Sequence, residues 1–123
     1  MWELALVGFI KVADQRYLKN VRTSSLACGI LNVVGNKGGV QMRFTLYDNT
    51  FNFLNCHLEA FLNNKKARCN MYSKINREIQ DENNGLEADV ESDFNYLVGD
   101  LNFRMQMKFS EFVSKYTFTD AYK

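Results

Sequence analysis

Residues 94–104 constrain the fold more than any other stretch, because an apolar strand ends there abruptly in a polar turn. The apolar side chains at alternate positions are Phe94, Tyr96 and Val98. Leu97 is apolar on the other face, so the pattern predicts an inner strand of a layered sheet, buried on both sides.

The end of this strand carries three polar groups. Asp100, Asn102 and Arg104 follow Gly99 with one residue between each, and at extended spacing their side chains leave the same side of the backbone. An acceptor, an amide and a guanidinium at the mouth of a buried strand suit an anionic substrate with a proton to move. Asp and Asn are also common turn formers, so a strand that ends in a solvated turn is the alternative. These residues alone leave both interpretations open.

Length and charge limit the classes of protein that remain. The 123 residues allow one domain at most, and 46% hydrophobic and 24% charged residues are ordinary for a globular chain. A formal charge of +1 gives no general field for nucleic acid or a membrane, so anion binding must be local. No apolar run approaches the roughly 20 residues of a membrane span. The three cysteines lie in apolar or helical patterns, which predicts reduced residues of an intracellular protein and no metal site.

The remaining strand patterns extend the predicted sheet. An almost uninterrupted apolar run over residues 2–12 predicts a strand buried on both faces, which needs neighbours on both sides. Residues 13–20 are predicted to be a polar connection, and residues 21–34 one long strand or two broken near Gly29. Alternation over residues 42–57, interrupted at Asp48, Asn49 and Thr50, predicts a hairpin.

Two helices and an acidic loop complete the predicted elements. Residues 62–80 have an apolar stripe at helical spacing, and residues 109–116 have a shorter one. The basic residues predicted to form the solvated face of the first helix are Lys65, Lys66, Arg68, Lys74 and Arg77. Residues 81–93 hold acids and no base, which predicts an exposed loop, with metal ligation as the second interpretation.

Two further strand ends carry candidate functional residues. Residues 35–39 contain three glycines, whose exposed amides can point at an anion, with Lys37 as the only charge. The loop lacks P-loop spacing, and judged in isolation it is better interpreted as a hairpin turn. Asn55 and His57, the only histidine, end the next strand; a lone strand histidine is more often structural than catalytic. Because strand-end loops collect functional side chains, the three strand ends together form the candidate site.

Taken in order, these segments resemble the inositol polyphosphate 5-phosphatases of the endonuclease/exonuclease/phosphatase superfamily. The family has a GNKGGV loop, an N-S-H-L segment and a W-x-G-D-x-N-[FY]-R segment. The matching residues here are 35–40, 54–58 and 98–104. The sequence departs from the family at two places: Leu97 and Val98 stand where the family often has tryptophan and the variable residue before glycine, and Glu59 stands where the family commonly has a small residue. The resemblance implies a DNase I-like four-layer α/β sandwich with mixed, largely antiparallel sheets. Residues 1–123 would be an incomplete fragment, the central part of one catalytic domain.

The resemblance also implies roles for individual residues. His57 is similar to the histidine that contacts the scissile phosphate. Asp100 is similar to the aspartate that orients or deprotonates the attacking water, and Asn102 to the asparagine that binds phosphate beside it. The remaining substrate-proximal or supporting positions are Asn36, Lys37, Asn55 and Arg104. Of these, Arg104 is expected to pair with a carboxylate.

The implied reaction is Mg²⁺-dependent hydrolysis of the 5-phosphate of a phosphoinositide or a soluble inositol polyphosphate. No residue of this chain is expected to be a metal ligand, since the family's metal-binding glutamate is expected upstream of it. The expected partner is the inositol substrate, with peripheral membrane contact, no nucleic acid and a cytoplasmic location. A non-catalytic fragment or degenerate paralogue that only binds is one alternative. A DNase I-like nuclease is the other, against which the neutral charge balance and the glycine loop argue.

Overall fold

The computed structural model describes residues 4–29, 36–82, 92–104 and 107–116. The strands are β1 (Leu18–Ala27), β2 (Gly38–Leu46), β3 (Asn49–His57) and β4 (Phe94–Asp100). The α-helices are α1 (Lys65–Glu82) and α2 (Phe109–Tyr116), and short 3₁₀ helices span Val12–Tyr17 and Leu62–Asn64. Within these ranges no helix has the length and apolar character needed to cross a bilayer.

The strands form one mixed sheet in the order β1-β2-β3-β4. The first three strands are antiparallel neighbours, and the hairpin between β2 and β3 turns at Tyr47 and Asp48, which both have positive φ. Positive φ at both central residues is what a type I′ hairpin turn requires. β4 pairs parallel to β3, so the chain has to cross back over the sheet, and α1 lies in that crossover. The mixed, largely antiparallel sheet and the helical crossover confirm the predicted α/β class.

One face of the sheet packs against α1. The buried apolar side chains of this core are Leu54, Cys56, Leu58, Ile75 and Ile79. Gly39 permits the close approach of the helix, because a Cβ there would lie 2.7 Å from Cγ2 of Ile75. The predicted helix and its apolar stripe are therefore confirmed, and the stripe belongs to the core.

The opposite face of the sheet carries a set of stacked rings, called here the aromatic face. Its members are Phe44, Phe51, Phe53, Phe94 and Tyr96. The ring centroids of Phe51 and Phe94 are 4.9 Å apart, and those of Phe53 and Tyr96 are 4.7 Å apart. Such offset cross-strand pairs stabilise adjacent strands. The described elements thus supply one sheet and one helical layer of the expected sandwich.

The predicted strand over residues 2–12 is wrong for the residues that are described. Residues 4–11 have no regular secondary structure and lead into the 3₁₀ helix Val12–Tyr17. Phe9 is 96% exposed. An apolar run becomes a strand only where a neighbouring strand accepts its hydrogen bonds. The described part of this run pairs with no described strand, and Ala5 and Gly8 instead lie against the side chains of Asn55 and Met42.

The predicted burial of β4 on both faces is also wrong. β4 is the other edge strand, and all its residues are exposed, with Tyr96 at 45%. The reason is positional: α1 packs over β1 and β2, and among the described elements none covers the two faces of β4.

Other boundaries differ by position. β1 begins at Leu18, within the predicted polar connection, and the prediction for residues 30–34 lies outside the described residues. So does most of the predicted acidic loop, at residues 83–91. The predicted hairpin and the short helix near residue 110 are confirmed.

Candidate functional site

Two strand ends and the end of a loop meet at one edge of the sheet. Gly38, which follows Lys37, lies opposite His57 across the β2–β3 pair. His57 in turn lies opposite Asp100 across the parallel β3–β4 pair. The register therefore places the glycine loop, the histidine and the aspartate side by side, although the aspartate lies far from the other two in sequence.

The side chains at this edge form a compact charged cluster. Nζ of Lys37 is 2.7 Å from Nε2 of His57, and Oδ2 of Asp100 is 3.7 Å from the same nitrogen. A lysine ammonium has only donors, so Nζ of Lys37 is the donor in this contact. The His57 side chain is 21% exposed and that of Asp100 65%. The side chains of a lysine, a histidine and an aspartate therefore meet at one partly solvated point.

A polar turn fixes the carboxylate. The backbone N–H of Asn102 donates to Oδ1 of Asp100 at 3.0 Å, and the N–H of Leu58 donates to the Asp100 carbonyl at 3.0 Å. The side-chain amide of Asn102 donates to the Leu58 carbonyl at 3.0 Å, and Asn102 adopts φ +53°. Asparagine tolerates that left-handed conformation better than most residues. The turn and the candidate site, which the sequence left as alternatives, are thus one structure: the turn uses one oxygen of Asp100 and leaves the other facing His57.

Close packing of β3 and β4 explains the glycine before this turn. Gly99 has φ +112°, and a Cβ there would lie 2.2 Å from the Cys56 carbonyl oxygen and 2.4 Å from Oδ1 of Asn55. Asn55 in turn donates from Nδ2 to the Ala5 carbonyl at 3.0 Å. Asn55 therefore connects the segment before β1 to the strand that carries His57.

The other two predicted site residues lie less centrally. Asn36 is partly buried beside Lys37 in the glycine loop. Arg104 is exposed beyond the turn, and the expected pairing with a carboxylate is not found among the residues that the structure describes. The cluster is therefore built from Lys37, His57, Asp100 and Asn102.

Sequence reasoning missed one residue beside the cluster. Arg68 was predicted to be solvated, but it is 1% exposed. Its guanidinium donates to the carbonyls of Glu59, Phe61 and Leu62. The signal was available, because Arg68 falls on the helical stripe of Ile75 and Ile79 at intervals of seven and four residues.

The three cysteines are not part of the charged cluster. Burial raises the pKa of the Cys56 thiol to about 12. Burial also raises the pKa of Cys28, against a smaller opposing effect of Lys74. Thiols with raised pKa are poor nucleophiles at neutral pH, and Cys28, Cys56 and Cys69 are free in the structure.

The described residues do not by themselves form a metal site. In the part of the chain that is described, no three His, Cys, Asp or Glu side chains lie close enough to hold an ion. Mg²⁺ is commonly bound by one or two carboxylates together with substrate phosphates. The carboxylate available here is already engaged on one oxygen by the N–H of Asn102.

The mixed α/β sheet with its helical crossover agrees with the DNase I-like fold class that the resemblance implied, and the comparisons with known proteins support it. The model of "Endonuclease/Exonuclease/phosphatase family 2" matches residues 1–123. Human phosphatidylinositol 3,4,5-trisphosphate 5-phosphatase 2 is 35% identical over 118 residues, covering 93% of this chain and 9% of that protein. Human phosphatidylinositol 4,5-bisphosphate 5-phosphatase A is 31% identical over 106 residues, covering 86% of this chain and 10% of that protein.

A solved structure gives the same result. The inositol polyphosphate 5-phosphatase domain of SPsynaptojanin, in complex with inositol (1,4)-bisphosphate and calcium ion, aligns with TM-score 0.62 and 27% identity. The alignment covers 83% of this chain and 29% of that one. The chain belongs to the inositol polyphosphate 5-phosphatase family of the endonuclease/exonuclease/phosphatase superfamily. It spans about a tenth of the length of the curated relatives that it matches.

Proposed function

We propose that the protein containing this chain hydrolyses the 5-phosphate of phosphoinositides or soluble inositol polyphosphates. The observation that carries this proposal is the contact of Lys37 with His57 beside the Asp100 carboxylate. The cluster combines donors for phosphate oxygens with an acceptor for a water proton, which hydrolysis of a phosphate monoester requires. The names of the relatives, each a 5-phosphatase of a phosphatidylinositol phosphate, support this substrate class.

In the proposed reaction, water attacks phosphorus directly. A bond forms between the water oxygen and phosphorus while the ester bond between phosphorus and the inositol oxygen breaks. Asp100 orients the water and takes one of its protons, and the inositol oxygen takes up a proton from solvent water as it leaves as a hydroxyl; Asp100 later returns its proton to solvent. His57 and Asn102 contact the scissile phosphate, and Lys37 lowers the cost of the charge that develops there.

The remaining predicted positions complete the proposed substrate site. Asn36 approaches the substrate from the glycine loop and Arg104 from beyond the β4 turn. Asn55 supports the end of β3 through its contact with Ala5. Peripheral contact with membranes, which a lipid headgroup as substrate would require, and a cytoplasmic location belong to the same proposal.

We also propose that the reaction depends on Mg²⁺, bound mainly by ligands other than the described residues. When bound, the ion would neutralise charge on the phosphate. We expect activity to disappear with excess chelator and to return when Mg²⁺ is added back. Phosphate release that persists in excess chelator would contradict the dependence on metal.

The central test compares two substrates and two lysines. Full-length protein is assayed for phosphate release from vesicles containing phosphatidylinositol 4,5-bisphosphate and for nicking of plasmid DNA. We expect phosphate release without nicking, and a loss of about 10²-fold or more in Lys37→Met, the scale of removing one preorganised donor. Lys19→Met is the matched control, because Lys19 pairs with Asp48 at the far end of the sheet.

Two outcomes would overturn the proposed function. Nicking of DNA without phosphate release would identify a nuclease. Binding of the vesicles without turnover, unchanged in Lys37→Met, would identify a protein that only binds.

A further inference from the structure

Arg68 is a buried cation whose hydrogen bonds are with the backbone. It lies in the first turn of α1 and is the most deeply buried charged residue in the described ranges. Its Nη1 donates to the Phe61 carbonyl at 2.5 Å and to the Glu59 carbonyl at 3.3 Å, and Nη2 lies 3.5 Å from the Leu62 carbonyl. Burying a charge is costly unless it is hydrogen-bonded, so a guanidinium in this place indicates a specific role.

The carbonyls that Arg68 binds belong to the segment directly after His57. Phe61 in this segment has φ +70°, a conformation that residues other than glycine rarely adopt. Its carbonyl accepts the shortest of the Arg68 hydrogen bonds. The guanidinium fork therefore holds the chain in a reversal that its own residues do not favour.

The same guanidinium reaches the segment after β4. Its central carbon lies 5.4 Å from the centroid of the Phe103 ring, within the range of a cation–π contact. Phe103 directly follows Asn102, and Asn102 is bonded to the Leu58 carbonyl. Arg68 thus contacts the two segments that carry His57, Asp100 and Asn102, without contacting those three side chains.

We propose that Arg68 is a positioning residue that fixes the two strand ends relative to each other and so sets turnover. The inference rests on the proposed function. The bonds between Leu58 and Asp100 and between Asn102 and Leu58 form only when both segments are in place, and these bonds orient the carboxylate toward His57. Misplacing reacting groups by about 1 Å can cost 10²-fold in rate.

The experiment uses full-length protein with Arg68→Met and Arg68→Lys, and with Arg77→Met and Arg77→Lys as matched controls. Arg77 lies on the same helix, is exposed and pairs with Glu78. We expect kcat to fall by at least about tenfold in both Arg68 variants, with KM changed less than about threefold. Lysine keeps the charge but not the fork, so recovery of wild-type kcat in Arg68→Lys would overturn the inference. A kcat that falls only in proportion to the unfolded fraction, measured by circular dichroism, would also overturn it.

A variant of Phe103 tests the inference in the case that the Arg68 variants do not fold. Phe103 is exposed, so Phe103→Leu removes the ring beneath the guanidinium and leaves the core intact. If both Arg68 variants unfold, Phe103→Leu must still lower kcat by at least about threefold, as expected for a cation–π contact of that size; an unchanged kcat overturns the inference.

Amide exchange separates this inference from the proposed function. If wild-type protein releases no phosphate, the proposed function fails, and exchange at the Leu58 N–H alone decides whether Arg68 fixes the two strand ends relative to each other. Faster exchange in Arg68→Met or Phe103→Leu, but not in Arg77→Met, supports it. Unchanged exchange in the folded variants overturns it.

Discussion

At the scale of single residues, the candidate site depends on backbone conformations that few side chains allow. Gly99 lies in the left-handed region against the Cys56 carbonyl, and Asn102 lies in the same region two residues after Asp100. Both conformations turn the chain at the end of β4, and the turn is what directs the carboxylate to His57.

Replacing Gly99 tests this dependence. In Gly99→Ala the new Cβ meets backbone atoms that cannot move away, at a φ that alanine rarely adopts. We expect a loss of about 1–3 kcal/mol in the free energy of unfolding, the range for strain at such positions. Urea denaturation of the full-length protein measures it. Gly8→Ala is the control, because its Cβ would lie 3.4 Å from Sδ of Met42, an ordinary contact; equal effects of the two variants would contradict the prediction.

Replacing Asp100 tests its chemistry separately from its turn. Asp100→Asn keeps an oxygen for the Asn102 N–H but removes the proton acceptor. We expect kcat to fall on the order of 10²–10⁴-fold, as for removal of a general base, with substrate binding largely kept. The measurement is steady-state phosphate release, with folding checked by circular dichroism and the exposed Asp48→Asn as control. A kcat within about threefold of wild type would reduce Asp100 to a turn residue, because general-base removal costs far more.

Residue patterns predicted this cluster because alternation along a strand and register across a sheet are geometric rules. Asn55 and His57 on one strand and Asp100 on another follow from them once β3 and β4 pair. Arg68 could not be predicted in the same way. Arginine is rarely fully buried, so its charge predicted an exposed residue although its position lies on the apolar stripe of the helix. Its hydrogen-bond acceptors are backbone carbonyls, whose positions cannot be predicted from the pattern of side chains.

At the scale of elements, the periodicity of apolar residues predicted which segments are helices or strands better than it predicted how deeply those segments are buried. The hairpin of β2 and β3 and the helix α1 agree with their patterns because their partners are local or lie along one face. Residues 4–11 and β4 do not, since apolar side chains report a tendency to be buried but not which neighbours are present. β4 keeps its strand geometry because β3 supplies a complete ladder on one side.

The contact between α1 and the sheet should dominate local stability. Ile75 is fully buried over Gly39, Leu54 and Cys56. We expect Ile75→Ala to cost about 2–5 kcal/mol, since it leaves a cavity where the helix cannot collapse onto the glycine. Lys66→Ala, exposed on the same helix, should stay within about 0.5 kcal/mol of wild type. Denaturant unfolding of the full-length protein measures both, and similar losses would place the core elsewhere.

At the scale of the whole molecule, two surfaces remain uncovered by the described elements. The aromatic face is partly exposed at Phe94 and Tyr96, and β4 presents an open edge. Exposed apolar patches and unpaired strand edges both promote association. The described layers thus leave apolar surface of the kind that a sandwich covers with its second sheet.

Residues 1–123 expressed alone should therefore be poorly soluble or molten. We expect binding of a hydrophobic dye and weak near-ultraviolet circular dichroism, with secondary structure retained. Phe94→Lys should improve solubility by placing a charge on the open edge. A sharp cooperative melt together with dispersed amide resonances would contradict the prediction.

The parallel pairing of β3 and β4 has a consequence for the order of folding. Partners across this pair are 43 residues apart in sequence, whereas the strands of the hairpin are joined by a two-residue turn. A long-range strand pair must close a long loop, and this loses conformational entropy before the stabilising contacts between the strands have formed. Such pairs therefore form late in folding. Lys37 and His57 can meet as soon as the hairpin closes, but Asp100 arrives only with the last strand. A phosphate bound across both strand ends would bind only the form in which β4 is docked on β3. It would therefore shift the equilibrium toward the docked strand by mass action.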